Sequence, residues 1–174
     1  MEVLMSQSSE QVNVFSISED EEVDENKMKY LVFWLQGERY GAPLLTVKEV
    51  LRTSEIKKVP YMVDHFKGVI NLRGQIVSVI DLRARFGLSS EIISGTYILV
   101  FETNNGLLGA IVDEIDSVIK IEDEDVDTNP LIETKVPIDF FIGVGKLSNG
   151  LVNMVDISKC ISEDDLRLIK KANG

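Results

Sequence analysis

The feature that most constrains the fold of this chain is a hydrophobic segment that occurs twice. Its first copy, GVINLRGQIVSVIDL, runs from Gly68 to Leu82, and its second copy, GVGKLSNGLVNMVDI, lies 75 positions further on. An upstream segment repeats as well, since the LVF triplet at 31–33 recurs at 99–101 with an offset of 68. Internal repeats of this kind indicate one structural unit present in two copies. We therefore expect the 174 residues to fold as two similar, closely packed halves.

Each copy of the repeated segment predicts a β-hairpin. In the first copy, Val69 and Ile70 end one strand, and the run from Ile76 to Ile80 is rich in the β-branched residues that favour a second strand. Gly74 lies between them and can adopt the positive φ that a chain reversal needs. Arg73 then lies at the tip of a tight turn, where its guanidinium is held more rigidly than on a mobile loop. Arg73 is therefore the first candidate for a functional residue.

The remaining pattern predicts further strands. A strand at 30–36 is followed by a Gly-Glu turn signal and by a second, long strand at 39–52. Pro43 has no backbone donor for a ladder hydrogen bond, so the long strand lies at a sheet edge or bulges there. Each copy thus has four to five short strands. This favours two small β-barrels, roughly 30–88 and 96–160, because barrel closure removes exposed sheet edges.

The two ends of the chain differ from its middle. Residues 1–28 are rich in Ser, Glu, Gln and Asp, and they are predicted to be a disordered acidic tail because they offer little apolar surface to offset the entropy of ordering. The alternative is that a few apolar residues of this tail dock on a partner or on an open sheet edge, namely Val12, Val14, Phe15 and Ile17. At the other end, Ser162 and the acids after it predict a helix at 162–172.

Charge and composition exclude several classes of partner. The net charge is −11, the first 29 residues carry eight acidic and two basic side chains, and no basic stripe appears. Nucleic acids and anionic membranes are bound by clustered Lys and Arg, so neither is an expected partner. No apolar run is long enough to span a bilayer, which argues against membrane insertion. The single cysteine, Cys160, suits a reducing cytoplasm.

No pattern of residues predicts catalysis, a cofactor or a metal ion. His65 is the only histidine, and Cys160 has no nearby base, so nucleophilic triads and multi-histidine metal sites are excluded. Asp81 and Asp156 lack the Thr/Ser-Gly neighbours of an aspartic protease and are expected to end strands and to accept local backbone hydrogen bonds. The acidic run at 123–127 lacks the glycine and the glutamate of a calcium loop.

The NLRG turn at 71–74, DLR at 81–83 and FG at 86–87 resemble the CheW-type chemotaxis coupling proteins. The resemblance covers about 30–160 and includes YG at 40–41, VKEV at 47–50, GAIVD at 109–113, GVG at 143–145 and VDI at 155–157. It implies two five-stranded SH3-like barrels with a hydrophobic core between them, in a domain spanning 29–165. It also implies a non-catalytic cytoplasmic adaptor that couples the tips of methyl-accepting chemoreceptors to the regulatory domain of a CheA-type histidine kinase within membrane-associated receptor arrays.

The resemblance also assigns candidate binding residues. Those that match positions for receptor or kinase coupling are Val47, Glu49, Gly68, Asn71 and Arg73. Those that match kinase-contacting positions on the second barrel are Gly109, Val118, Asp127 and Ile132. We hypothesise that Glu49 and Arg73 pair across the first barrel and fix the turn at the rim of a receptor groove. The alternatives are a weak surface ion pair for these two residues and a purely structural place in the core for Val118.

Two departures from the family pattern and two other functions stay open. Val63 stands where the family often has a second proline, and Asp127 stands where a basic residue is common nearby. The same module could serve a chemosensory pathway that governs pili, development or a second messenger. A β-barrel enzyme or small-molecule sensor would need convergent polar groups in a pocket, and the sequence does not indicate them.

Overall fold

The computed structural model describes residues 13–16, 29–52, 55–60, 63–88, 96–131 and 133–173. The described strands are β1 (Asn13–Ser16), β2 (Lys29–Leu35), β3 (Glu38–Pro43), β4 (Val47–Arg52), β5 (Phe66–Leu72), β6 (Gln75–Asp81), β7 (Tyr97–Thr103), β8 (Gly106–Val112), β9 (Glu114–Lys120), β10 (Val126–Asp127), β11 (Phe141–Leu147) and β12 (Gly150–Val155). The helices are α1 (Leu82–Arg85) and α2 (Glu163–Asn173), with short 3₁₀ helices at Leu44–Thr46, Asp123–Asp125, Ile138–Phe140 and Ile157–Cys160.

The strands form two six-stranded sheets. The order in the first is β1-β4-β7-β8-β6-β5, and the order in the second is β10-β11-β12-β3-β2-β9. Neighbouring strands are antiparallel except for one parallel pair in each sheet, β6 with β8 and β12 with β3. The all-β class with SH3-like subdomains that the sequence predicts is thus confirmed. We call β4 to β8 of the first sheet the first barrel, and the second sheet the second barrel.

The predicted barrel boundaries at 30–88 and 96–160 are wrong, because each barrel contains strands from both sequence copies. The β2–β3 hairpin of the first copy joins the second barrel, and the β7–β8 hairpin of the second copy joins the first barrel. The exchange is symmetric, since the parallel pairs β6·β8 and β12·β3 occupy equivalent positions in the two copies. A repeat reveals which elements are alike, but it does not reveal which copy each element pairs with.

The predicted long strand at 39–52 is also wrong, because the chain leaves one sheet and enters the other within it. β3 ends at Pro43, a 3₁₀ helix covers Leu44–Thr46, and β4 begins at Val47 in the first barrel. Proline lacks the backbone N–H that would continue the ladder. The Thr46 hydroxyl donates to the Pro43 carbonyl over 2.7 Å and stabilises the turn.

The N-terminal stretch departs from its predicted disorder at one place. Asn13–Ser16 form β1, which pairs antiparallel with β4 at the end of the first sheet. This corresponds to the alternative of docking on an open sheet edge, because β4 otherwise leaves a row of backbone donors and acceptors unpaired. The rest of 1–28 lies outside the described residues.

The main hydrophobic core is shared by the two barrels. It contains buried residues of both sheets, and four aromatic rings form a row through it, with centroid separations of 6.1, 5.7 and 6.2 Å along Phe33, Tyr40, Phe86 and Phe140. A second cluster, built on Leu51, Ile70, Val79 and neighbouring apolar residues, fills the first barrel. Removing apolar surface from water stabilises a fold by about 25 cal/mol per Å², so the shared core holds the two barrels together as one unit.

The C-terminal helix begins with the predicted cap. The Ser162 hydroxyl accepts from the Asp165 backbone N–H at 3.1 Å, and the Asp165 carboxylate accepts from the Ser162 N–H at 3.0 Å. This reciprocal pair satisfies donors that a helix start leaves open. Among the described residues, no helix has the length and apolar character needed to cross a membrane.

Candidate partner-binding site

The turn of the first hairpin holds Arg73 in an uncommon backbone conformation. Arg73 has φ +50° and Gly74 has φ +85°, so both residues of the two-residue β5–β6 connection lie in the left-handed region. Such turns match the twist of the flanking strands. The Asn71 side-chain oxygen accepts from the Gly74 N–H at 2.8 Å. The predicted positive φ of Gly74 is confirmed, and the turn displays the arginine on a fixed backbone.

Arg73 forms a two-pronged ion pair with Glu49. Its Nη1 donates to Glu49 Oε2 at 3.0 Å and its Nη2 donates to Glu49 Oε1 at 2.7 Å. The Glu49 side chain is 5% exposed, whereas that of Arg73 is 67% exposed. Bidentate geometry fixes the plane of the guanidinium as well as its position. The predicted pairing of these two residues is therefore confirmed.

This ion pair links the two ends of the first barrel. Glu49 lies on β4 and Arg73 lies at the tip of the β5–β6 hairpin, while β4 and β5 are the outermost strands of the order β4-β7-β8-β6-β5. Its hydrogen bonds therefore tie together elements that the sheet ladder leaves apart.

A glycine is required at position 68 because the backbone of Lys57 passes very close to it. It is buried, its φ is +138°, and a Cβ there would collide with the Lys57 carbonyl oxygen. Lys57 forms an isolated bridge with Val69 at this point. Its repeat equivalent, Gly143, is constrained similarly, since a Cβ would lie 2.8 Å from a Val126 methyl group. A role of Gly68 in binding stays a prediction, and any such role acts through the shape of the hairpin.

The other receptor-side candidates divide into buried and exposed residues. Val47 is 3% exposed and packs in the shared core, so it cannot offer contact area. Asn71 is exposed beside Arg73. Sequence reasoning missed Ile76, which is 57% exposed and lies opposite Asn71 in the hairpin register. A signal existed, because its repeat equivalent Leu151 is also a large apolar residue and is 47% exposed.

The kinase-side candidates that the structure describes lie on three different strands. Gly109 lies on β8 in the first barrel, where a Cβ would be 2.9 Å from an Ile98 methyl group, so its predicted place on the second barrel is wrong. Val118 lies on β9 and packs against the shared core. Asp127 lies on β10, and its carboxylate is 3.8 Å from Lys146 Nζ. Ile132 lies outside the described residues.

A buried charged cluster near the first barrel went unpredicted. Arg83 is 2% exposed, its Nε donates to Asp81 Oδ1 at 3.3 Å, and its Nη1 lies 3.0 Å from Asp113 Oδ1. Asp113 in turn accepts from the Gln36 N–H at 2.7 Å, which links the first barrel to the β2–β3 turn of the second. This cluster is structural, because removing Arg83 would leave two largely buried carboxylates without their cation.

Asp81 and Asp156 have the local roles that the sequence predicts. Asp81 accepts from the Arg83 N–H at 2.9 Å, and Asp156 accepts from the Ser158 N–H at 3.1 Å. Each carboxylate caps the short helix that follows its strand. In each hairpin, the aspartate therefore marks the end of the second strand and the start of the helix that follows it.

The single histidine and the single cysteine are tied into the fold. His65 Nε2 lies 3.2 Å from Asp165 Oδ2 and joins α2 to the approach to β5. Burial raises the pKa of the Cys160 thiol to about 12, with nearby Arg85 opposing and Asp156 adding to the shift. Within the described residues, no group of three or more His, Cys, Asp or Glu side chains is placed to hold a metal ion.

A cavity of about 560 Å³ opens at the second barrel, between the β2–β3 and β11–β12 turns. Arg39 on its wall donates to the Asn149 side-chain oxygen at 3.2 Å and to the Asn149 carbonyl at 3.0 Å. The Trp34 indole N–H donates to Asp116 at 3.1 Å. These polar side chains are therefore engaged with one another across the wall.

Known proteins match this chain over most of its length. Residues 29–165 match the model of the CheW-like domain family. The chain is 30% identical over 144 residues to the chemotaxis protein CheW of Klebsiella aerogenes, covering 81% of this chain and 86% of that protein. It is 32% identical over 144 residues to the chemotaxis protein CheW of Thermotoga maritima, with 79% and 89% covered.

The fold agrees with these similarities. The crystal structure of the scaffolding protein TtCheW from Thermoanaerobacter tengcongensis has a TM-score of 0.74 and 30% identity with this chain, and the match covers 80% of this chain and 95% of that one. A match of this extent includes both barrels. The chain belongs to the CheW-like family of chemotaxis proteins.

Proposed function

We propose that this protein is a chemotaxis adaptor that couples the cytoplasmic tips of chemoreceptors to a CheA-type histidine kinase and allows receptors to control autophosphorylation. It acts by binding rather than by turnover, in the cytoplasm and at membrane-associated receptor arrays. Membership of a family whose solved relative is named a scaffolding protein supports this function. The observation that carries it is the Glu49–Arg73 pair, which fixes an exposed cation on a rigid turn.

The receptor side of the proposal is the surface formed by Asn71, Arg73 and Ile76, which we call the hairpin surface. It combines a guanidinium, an amide and an apolar side chain that is 57% exposed. Arginine is enriched among the residues that dominate the free energy of protein interfaces, and an exposed apolar side chain adds free energy when a partner buries it. Because the turn and the ion pair already hold Arg73 in place, binding costs less side-chain entropy than it would for a free arginine.

The kinase side of the proposal is the edge of the second barrel around Asp127. β10 contains only two residues and forms one end of the sheet, and the nearby Leu131 side chain is completely exposed. Edge strands and exposed apolar loop residues are common points of contact with a partner. Asp127 and Ile132 stay predicted contributors to this edge. Val118 stays a predicted kinase contact on β9, at the other end of the sheet order, whereas Gly109 supports the first barrel from inside.

Binding measurements with each partner separately test the proposal. Titration calorimetry with a receptor-tip fragment and with the kinase regulatory domain is expected to give saturable binding of both. Arg73→Ala is expected to weaken tip binding at least about tenfold, as for a central interface arginine. Arg167→Ala is the matched control, because this arginine is exposed on α2 and pairs only loosely with Asp164. A protein that binds neither fragment at micromolar concentration would refute the function.

A further inference from the structure

Among the described strands, β1 has no counterpart in the other half of the molecule. Every neighbouring pair of the first barrel has an equivalent in the second, including β4·β7 with β9·β2 and β5·β6 with β11·β12. β9 is the equivalent of β4, and it forms the end of its sheet in the part of the chain that the structure describes. β1 also precedes the residues that match the CheW-like domain, which begin at 29. It is therefore an addition to the duplicated architecture.

The position of β1 places it beside the hairpin surface. In its register with β4, Ser16 lies opposite Glu49, the residue that holds Arg73. Paired strands lie about 4.8 Å apart, so β1 borders the backbone that carries the ion pair. A partner that covers Arg73 and extends over the outer edge of β4 would meet β1 there.

The charge of the N-terminal segment complements this region. In the sequence, an acidic run starts three residues after Ser16, at Glu19. The two exposed side chains of β4 itself are both basic, Lys48 and Arg52, although Lys48 also lies 3.7 Å from Glu102 on β7. Ser16 itself lies opposite Glu49, the neighbour of Lys48, and only Ile17 and Ser18 separate it from Glu19 in the sequence. Opposite charge favours closure of the segment on its own barrel.

We propose that β1 is a displaceable cover: Asn13–Ser16 occupy the outer edge of β4 and compete with the receptor tip for the region beside Arg73. This inference rests on the proposed receptor binding. The pairing is limited to four residues and includes a bulge between Asn13 and Phe15, so it can open without unfolding the barrel. A site that is covered most of the time binds its partner more weakly, in proportion to the fraction that is open.

The test is a full-length variant that cannot keep β1 paired. Successive N–H groups of a strand point to opposite sides, so Val14→Pro with Phe15→Pro removes a ladder donor facing β4 whichever of the two supplies it. The matched control places the same two prolines at Ser8 and Ser9, in the same segment but before β1. Hydrogen–deuterium exchange over 47–52 reports whether the edge is covered, and titration with the receptor-tip fragment reports affinity.

The expected result is at least about tenfold faster exchange over 47–52 and a Kd for the tip about three- to tenfold lower in the Val14/Phe15 variant, with the Ser8/Ser9 control unchanged. Unchanged exchange would show that β1 does not cover the edge, and faster exchange with an equal or higher Kd would show that it does not compete. Either result overturns the inference. Failure of the proposed function looks different, because then neither the wild type nor any variant binds the tip.

Discussion

Lys57 and Asp127 occupy equivalent places in the two halves of the molecule, although one is basic and the other acidic. The backbone carbonyl oxygen of Lys57 would collide with a Cβ on Gly68. In the other half, the backbone carbonyl oxygen of Asp127 would lie 2.9 Å from a Cβ on Gly143. Each also pairs with the residue that follows its glycine. The two copies thus share the same backbone contact, whereas the side chain at this position is basic in one copy and acidic in the other. The two barrels therefore have different surface charge here.

This contact predicts that Gly68→Ala is strongly destabilising. A methyl group would overlap a backbone carbonyl, and the φ of +138° disfavours any side chain. We expect a loss of about 2 kcal/mol or more in the free energy of unfolding. Gly87→Ala is the control, because φ is +70° but no atom lies within 4 Å of the new Cβ, and it should cost about 1 kcal/mol. Urea denaturation with equal midpoints for the two variants would contradict the steric account.

The Glu49–Arg73 pair predicts a measurable coupling energy. A double-mutant cycle with Glu49→Gln and Arg73→Met should give about 1 kcal/mol, since the geometry is bidentate and Glu49 is buried, while exposure of Arg73 limits the gain. The reference pair is Lys48 and Glu102, which lie 3.7 Å apart with both side chains exposed. Its coupling should be a few tenths of a kcal/mol. Equal coupling for the two pairs would show that Glu49 and Arg73 form an ordinary surface contact.

The helix cap predicts a specific acid sensitivity. Burial opposes ionisation of Asp165, but hydrogen bonds from Ser162 and from His65 outweigh it and hold the pKa of this carboxyl below its ordinary value. A lowered pKa in the folded state stabilises the fold above the unfolded-state pKa, near 4, and this contribution is lost as pH falls through the folded-state value.

Asp165→Asn should therefore reduce the loss of stability on acidification below about pH 4, as measured by thermal melting across pH. Asp164→Asn is the matched control, because that carboxyl is highly exposed and only loosely paired. The account would be contradicted if both variants kept the acid dependence of the wild type.

Cys160 predicts an unreactive thiol. It is buried, and burial raises its pKa to about 12, so little thiolate forms at pH 8. A disulfide-exchange reagent should label the native protein very slowly and the urea-unfolded protein at once. Ser148→Cys supplies an exposed thiol at the β11–β12 turn as a positive control. Rapid labelling of native wild type would contradict the described burial.

Much of the local structure could be predicted from the sequence. The hairpin turn followed from Gly74, the caps followed from Asp81 and Asp156, and the pairing of Glu49 with Arg73 followed from the family resemblance. These features depend on short-range turn chemistry or on a motif that recurs in related chains. Turns and helix caps can be predicted from a single sequence because the residues that form their hydrogen bonds are close neighbours in the chain.

Long-range pairing could not be predicted in the same way. The parallel pairs β6·β8 and β12·β3 join segments with no local signal for each other, so the exchange of hairpins between barrels was missed. The sequence predicts that Pro43 lies at the edge or at a bulge of one strand, whereas it ends β3, and the chain then continues into the other barrel. The composition around β1 favours disorder, and docking on an open sheet edge is only the alternative prediction; the free edge of β4 makes that alternative correct for Asn13–Ser16.

The central claim is that this protein transmits receptor state to a kinase through the hairpin surface. The most direct measurement is kinase autophosphorylation in co-sedimented assemblies of receptor membranes, kinase and this protein. Wild type and Arg167→Ala should support receptor-dependent kinase activity, whereas Arg73→Ala should lower it about tenfold while remaining folded by circular dichroism. Full activity and normal assembly with Arg73→Ala would contradict the account.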